Sequence, residues 1–255
     1  MSTLPQTPSF SLYGKRAMVT GAGRGIGAGL SVALAAAGAQ VTLVARTEPE
    51  IAKLAEAINS SGGLADYKTL DVSNHQAVAS FFEQEPAYDV LVNNAGTNRP
   101  KSILEVTEDD YDAVLDLNLK SLVFTTQAAI RKMVAIEKAA SIIHIGSQMG
   151  HVGGPNRTLY CASKWALEGF NKALALDVAA HGIRSNIIAP TFIETPMTKP
   201  FFENQEFLQS VLAKIKLGRL GTVEDLMGAV VFLACDASAL MTGTTLLIDG
   251  GWTAE

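Results

Sequence analysis

The sequence predicts a single doubly wound α/β domain with a seven-stranded parallel sheet, and three observations carry that prediction. An apolar run at residues 15–20 leads through a glycine-rich turn at 21–27 into an alanine-rich helical stretch at 28–37. Six further strand-like runs then alternate with helical stretches, which buries both faces of a parallel sheet. The chain has 255 residues, 48% of them hydrophobic, enough for one large core.

Each element follows from its own residues. After the first strand, Gly21, Gly23, Gly25 and Gly27 allow positive φ and close backbone approach, so the free N–H groups opening the helix face a pyrophosphate. Arg24 and Ile26 lie in the same loop, and the strand–turn–helix context makes the run a dinucleotide fingerprint. The second strand, 40–45, ends in Ala45-Arg46-Thr47 without an acid. The third, 64–70, ends in Asp71-Val72, where Asp71 suits either a nucleotide contact or a cap for the helix starting near Ser73. The fourth, 88–92, runs into the small-residue turn Asn93-Asn94-Ala95-Gly96. A long helical run at 107–133 carries Asn118. The fifth strand, 141–146, ends at Ser147, and the sixth, 183–189, leads into Pro190 and the segment holding Ile193 and Thr195. A helix at 223–235 and an edge strand at 244–248 complete the pattern. Ligands of open parallel sheets bind beyond the carboxyl ends of the strands, and the motifs fall there.

The chemistry centres on Tyr160 and Lys164. Four-residue spacing on a helix puts phenol and ammonium on one face, and a fixed cation favours the phenolate, drawing the tyrosine pKa down from about 10. Ser147 ends a strand where its hydroxyl can donate to a carbonyl oxygen as negative charge develops. His144 lies inside an isoleucine-rich strand and reads as a core residue; His75 and His181 read as surface residues. Cys161 and Cys235 are far apart without metal-ligand spacing, so free thiols are expected and no metal site.

Taken together, Thr20-Gly21-x-x-x-Gly25-x-Gly27, Asn93-Asn94-Ala95-Gly96, Ser147 and Tyr160-x-x-x-Lys164 resemble the short-chain dehydrogenase/reductase family over nearly the whole chain. Ser147 stands thirteen residues before Tyr160, the interval the resemblance leads one to expect. The resemblance implies a Rossmann-like domain spanning 1–255 with an N-terminal extension at 1–13, and hydride transfer between a nicotinamide and a secondary alcohol or ketone. It implies four catalytic residues. Tyr160 moves the proton, Ser147 polarises the oxygen, Lys164 lowers the Tyr160 pKa and binds the nicotinamide ribose, and Asn118 supports a water-linked relay to Lys164. It also places Asp71 and Val72 at the adenine, Asn94, Ala95 and Gly96 near the adenosine ribose, and Pro190, Ile193 and Thr195 beside the nicotinamide. Thr191 replaces the family's usual glycine, which puts the backbone path there in question because threonine tolerates positive φ poorly.

Cofactor choice follows from the second strand's end. A carboxylate there binds the ribose 2′-hydroxyl of NAD and repels a 2′-phosphate, whereas Arg46 pairs with that phosphate and Thr47 adds a hydrogen bond. Arg24 supplies a second cation, so NADP(H) is expected to be preferred, with NAD(H) possible; Glu48 lies close enough to blunt the field.

The substrate is a small molecule. His151, Asn156 and Arg157 suggest a hydroxylated or acidic one, as in the gluconate 5-dehydrogenase and polyol dehydrogenase branch that the chain resembles. Phe192, Phe201 and Phe202 suit instead a 3-oxoacyl thioester reductase, or simply pack a lid. A non-catalytic nucleotide sensor is the reading of another class. The net charge of −5 gives no attraction to nucleic acid or anionic membranes, and the absence of a signal pattern or a membrane-length apolar run makes the cytoplasm the expectation. A homotetramer is expected, since Ala162, Ala166, Gly169 and Ala173 form a small-residue stripe on the Tyr160 helix, flanked by Trp165, Leu167 and Phe170.

Overall fold

The computed structural model describes residues 4–254, so residues 1–3 of the expected N-terminal extension and Glu255 lie outside the described residues. Seven strands form one parallel sheet: β1 (Arg16–Thr20), β2 (Gln40–Ala45), β3 (Leu64–Thr69), β4 (Val90–Asn93), β5 (Ala140–Ile145), β6 (Ile183–Pro190) and β7 (Thr245–Ile248). Their order is β3-β2-β1-β4-β5-β6-β7. The direction of winding reverses between β1 and β4, which opens a crevice at the carboxyl edge. This is the sheet the sequence predicts, with strand ends displaced by one or two residues.

Helices cover both faces. On one side α1 (Gly25–Ala36), α2 (Glu48–Ser60) and α8 (Glu224–Ala234) bury Leu30, Leu34, Ile51, Leu226 and Leu233. On the other, α3 (His75–Gln84), α5 (Ser121–Ala135) and α6 (Thr158–Val178) bury Val78, Phe82, Met133 and Leu174. The N-terminal segment is docked by Leu12, which is fully buried and donates its N–H to Ala37 O at 2.8 Å. Among the described residues no helix is long and apolar enough to cross a membrane.

The expected helix at 107–133 is interrupted. It begins as α4 (Glu108–Leu115), with a capping box between Thr107 and Asp110, passes through a π-helical turn at Asp116–Lys120, and resumes as α5. The cause lies in Ser121: its N–H bonds Asp116 O five residues back, and its hydroxyl donates to the same oxygen at 2.7 Å. The extra residue in that turn swings Asn118 inward, where it is buried. Single π turns mark functional sites often enough to draw attention here. A short helix, α7 (Gln205–Leu212), capped by Asn204, also forms in the segment the sequence assigns only as covering loop.

His144 occupies the core position expected of it. Its Nδ1 lies 3.1 Å from the Asn93 amide nitrogen, an obligate donor, so Nε2 carries the proton and donates to Ser185 Oγ at 3.2 Å. Ser185 in turn donates to Asn171 Oδ1. Complete burial, with the Lys164 charge adding to it, holds the imidazole neutral by drawing its pKa down to about 3.

Candidate active site

One cavity of about 340 Å³ runs along the carboxyl edge of the sheet, and every residue expected at the site lines it except Asn118. At its centre is the glycine turn. Gly21 and Gly25 adopt φ of 63° and 56°, and a Cβ on Gly27 would lie 2.3 Å from Gly21 O and 2.5 Å from Asn94 Nδ2. The contact explains Asn94: its Nδ2 donates to Thr20 O and Gly21 O at 3.0 and 3.1 Å, while the Asn94 and Ala95 N–H groups donate to Thr20 Oγ1. The Asn94 side chain therefore clamps the turn, and Ala95 and Gly96 continue the wall.

Helix α1 starts with no side-chain cap and no acid in its first turn. Its N-terminal N–H groups and positive dipole end face the glycine turn uncompensated, and a pyrophosphate fits that cradle. Arg24, Arg46 and Thr47 line the same end. Each arginine faces an acid at 3.9 Å, Arg24 at Glu50 and Arg46 at Asp71. Glu50, which reaches back to within 2.7 Å of a Cβ placed on Gly23, is the acid in the cavity wall rather than Glu48. Asp71 does not cap the following helix: its Oδ1 accepts from Ser73 N and Oγ, and Asn74 caps α3. Val72 is buried beside it.

The chemistry-bearing side chains meet beyond β4 and β5. Ser147 Oγ donates to Gln148 Oε1 at 2.7 Å and accepts from Met149 N at 3.1 Å, and it lies near enough to the Tyr160 phenol to lower its pKa. Lys164 Nζ lies 5.6 Å from the Tyr160 ring centroid and donates to Ile145 O at 2.8 Å. The pair is adjacent as its spacing predicts, yet the phenol shifts in the opposite direction. Burial pushes the Tyr160 pKa above its ordinary value, outweighing the lowering by Ser147 and Arg157, and burial draws Lys164 down to about 8. Asn118 stands one layer behind: its Oδ1 accepts from Thr97 N at 2.7 Å, and its Nδ2 donates to Thr97 O and to Ser163 Oγ. Its amide thus secures the loop after β4 against α6.

After β6 the chain folds back toward the glycine turn, bringing Thr195 within 3.4 Å of a Cβ on Gly25. Ile193 is buried, and Thr195 Oγ1 pairs with Thr198 Oγ1 at 3.1 Å. Thr191 needs no positive φ, since the non-glycine residues with that conformation are Glu137 and Asn156 among the described residues. Of the three polar residues flagged for the substrate, Arg157 lines the cavity; His151 turns instead to Glu168, at 3.1 Å, and to Trp165. Phe192 and Phe201 line it, whereas Phe202 packs against Phe192 and Phe207. Glu50, on α2, has no signal of its own in the sequence, and Gln148 has none beyond adjacency to Ser147. Cys161 is half-buried, Cys235 is buried, and both are free. Among the described residues no group of His, Cys, Asp and Glu could hold a metal ion.

Comparison with known proteins places this cavity in context. A family model described as enoyl-(acyl carrier protein) reductase matches residues 21–253. The chain is 38% identical to a 3-oxoacyl-(acyl-carrier-protein) reductase of Chlamydia pneumoniae, over 95% of this chain and 98% of the relative. It is also 38% identical to a 2-dehydro-3-deoxy-D-gluconate 5-dehydrogenase of Bacillus subtilis, over 96% of both. Among solved structures, a gluconate 5-dehydrogenase of Burkholderia cenocepacia, in complex with NADP and tartrate, superposes with a TM-score of 0.93 at 35% identity, covering 96% of this chain and 98% of that one.

Proposed function

We propose that this chain, which belongs to the short-chain dehydrogenase/reductase family, is an NADP(H)-preferring oxidoreductase acting on the secondary alcohol or ketone of a sugar acid or polyol. The observation that carries the reading is the convergence of Ser147, Tyr160 and Lys164 in the one cavity that also holds the uncapped α1 N-terminus and the glycine turn. When bound, the nicotinamide supplies or takes up the hydride. The chain supplies the rest. Tyr160, kept protonated at neutral pH by burial, gives its proton to the developing alkoxide of a ketone, and Ser147 turns its hydroxyl from Gln148 toward that oxygen. Lys164 holds a positive charge beside the phenol and a donor for the ribose, and Asn118 keeps the β4 loop in register with α6.

Steady-state turnover with both nicotinamide cofactors over keto-sugar acids, polyols and acetoacetyl thioesters tests this reading. Fastest reduction of a keto-sugar acid or oxidation of a polyol supports it. A 3-oxoacyl thioester reductase is the second reading, favoured by Phe192 and Phe201 in the wall and by the relative of that name. Tight cofactor binding with no turnover anywhere in the panel would indicate a sensor.

Cofactor preference rests on Arg46 and Arg24. Arg46→Ala is expected to lower kcat/KM for NADP(H) by roughly 10- to 100-fold, the worth of one charged hydrogen bond, and to leave NAD(H) use unaffected. A higher kcat/KM for NAD(H) in the parent, unmoved by that substitution, would reject the assignment. A cytoplasmic location belongs to the same proposal, because the reaction draws on a freely diffusing nucleotide.

The enzyme is further proposed to be a homotetramer. Ala162, Ala166, Gly169 and Ala173 are all exposed on α6, and a Cβ on Gly169 would meet nothing within 4 Å. Burial against the chain's own sheet therefore does not account for the stripe, and Trp165 beside it is 53% exposed. Light scattering at micromolar concentration is expected to give a four-chain mass; a monomer would remove the proposal.

A further inference from the structure

The remaining unexplained charge in the cavity is Arg157. It is 8% exposed, yet its guanidinium finds no hydrogen-bond acceptor and no carboxylate among the described residues. What surrounds it are ring faces: its Cζ lies 5.3 Å from the centroid of Phe192 and 5.9 Å from those of Phe201 and Phe207. Ring faces soften the cost of a buried cation but accept none of its five N–H donors in good geometry. Two other arginines show the usual arrangement. The partly buried Arg184 donates to Ser238 Oγ and to the carbonyls of Leu233, Cys235 and Met241, and Arg219 forms a two-pronged pair with Asp225.

Local backbone fixes this guanidinium in place. Asn156 takes φ of 58°, which asparagine tolerates, and its carbonyl accepts from Lys101 N at 3.0 Å, tying the turn before α6 to the loop after β4. Arg157 then caps α6, its carbonyl accepting from Cys161 N at 2.7 Å, one helical turn before Tyr160. A cation thus lines the same cavity as the proton donor, close enough to interact electrostatically with the Tyr160 phenol.

Resting on the oxidoreductase reading above, we propose that Arg157 is a specificity-determining residue that binds a carboxylate of the substrate, so that the enzyme takes hydroxy or keto acids in preference to neutral polyols. A planar carboxylate matches the guanidinium fork with two parallel hydrogen bonds, and it supplies the charge that the fold leaves uncompensated. The aromatic wall then serves to desolvate and orient the arginine, which also accounts for Phe192 having its ring face taken.

The test pairs 5-keto-D-gluconate with L-sorbose, which carries a hydroxymethyl group in place of the carboxylate, in the parent and in Arg157→Gln and Arg157→Lys. The parent is expected to favour the acid by about 10²-fold in kcat/KM, and Arg157→Gln to bring that ratio close to one through loss on the acid, in the range seen when a buried charge pair loses one partner. Arg157→Lys, which keeps the charge but not the fork, is expected to fall between. An equal fall for both sugars shows a structural role and overturns the proposal, as does an acetoacetyl thioester outcompeting the keto acid with no dependence on Arg157. Calorimetric binding of D-gluconate in the presence of NADP+ separates the two levels. If the parent turns over neither sugar, the sugar-acid or polyol reading fails, while gluconate binding lost in Arg157→Gln still supports the carboxylate site and equal binding in parent and variant refutes it.

Discussion

Tyr160→Phe is expected to remove nearly all turnover, by about 10² to 10⁴-fold in kcat, the range a positioned general acid contributes. The substitution keeps the ring on which the Lys164 ammonium sits, 5.6 Å from its centroid, and deletes one oxygen. Ser147 retains Gln148 and Met149 as partners, so no buried hydroxyl is orphaned and the fold should hold. Cofactor affinity, measured by fluorescence titration, is therefore expected to stay within a few-fold of the parent. A purified variant that turns over substrate near the parent rate would show that the proton comes from elsewhere.

Lys164→Ala is expected to act on two quantities at once. One ammonium serves the phenol and the ribose, so both kcat and cofactor affinity should fall, each by roughly ten-fold or more, the worth of a charged hydrogen bond. Stability should respond differently. Burial draws the Lys164 pKa from 10.5 down to about 8, so between those values the unfolded chain holds more of this proton than the folded one. By linkage this group then adds stability as pH rises through that window, and at neutral pH its charge is a cost to the fold. Removing it relieves that cost while losing the bond to Ile145 O and some packing, so at pH 7 the variant should unfold within a few degrees of the parent. Urea melts at pH 7 and pH 10 check the sign: the parent's gain over that interval should shrink in the variant. A large loss of stability at pH 7 with cofactor affinity unchanged would place Lys164 in the structure and not in the site.

Much of the fold was legible because each strand is an apolar run closed by a small-residue turn, and those turns are where the ligand-facing residues sit. Gly27 could be read from the sequence as a site of close approach, and the reason is that a Cβ there would lie only 2.3 Å from Gly21 O. The π turn was not legible. Residues 116–120 have the composition of ordinary helix, and the break depends on Ser121 bonding Asp116 O twice, a choice local sequence does not announce. Glu50 escaped for another reason: it belongs to α2 and reaches the glycine turn only once β1 and β2 pair. Spacing identified the neighbours Tyr160 and Lys164 but not the direction of the phenol's shift, because desolvation depends on everything packed around it. Arg157 was visible as a cation near the substrate segment. That it would be buried against three rings with no acid beside it required the tertiary fold.

The central claim is that this cavity carries out hydride transfer with Tyr160 as the proton donor. The most direct measurement follows the isotope: reduction of the preferred keto acid with NADPH deuterated at the transferring C4 position, the product being examined by NMR. One deuterium on the new carbinol carbon, formed at a rate abolished by Tyr160→Phe, is the predicted result. A product without deuterium at that carbon, or deuterium appearing at an undiminished rate in Tyr160→Phe, would contradict the account.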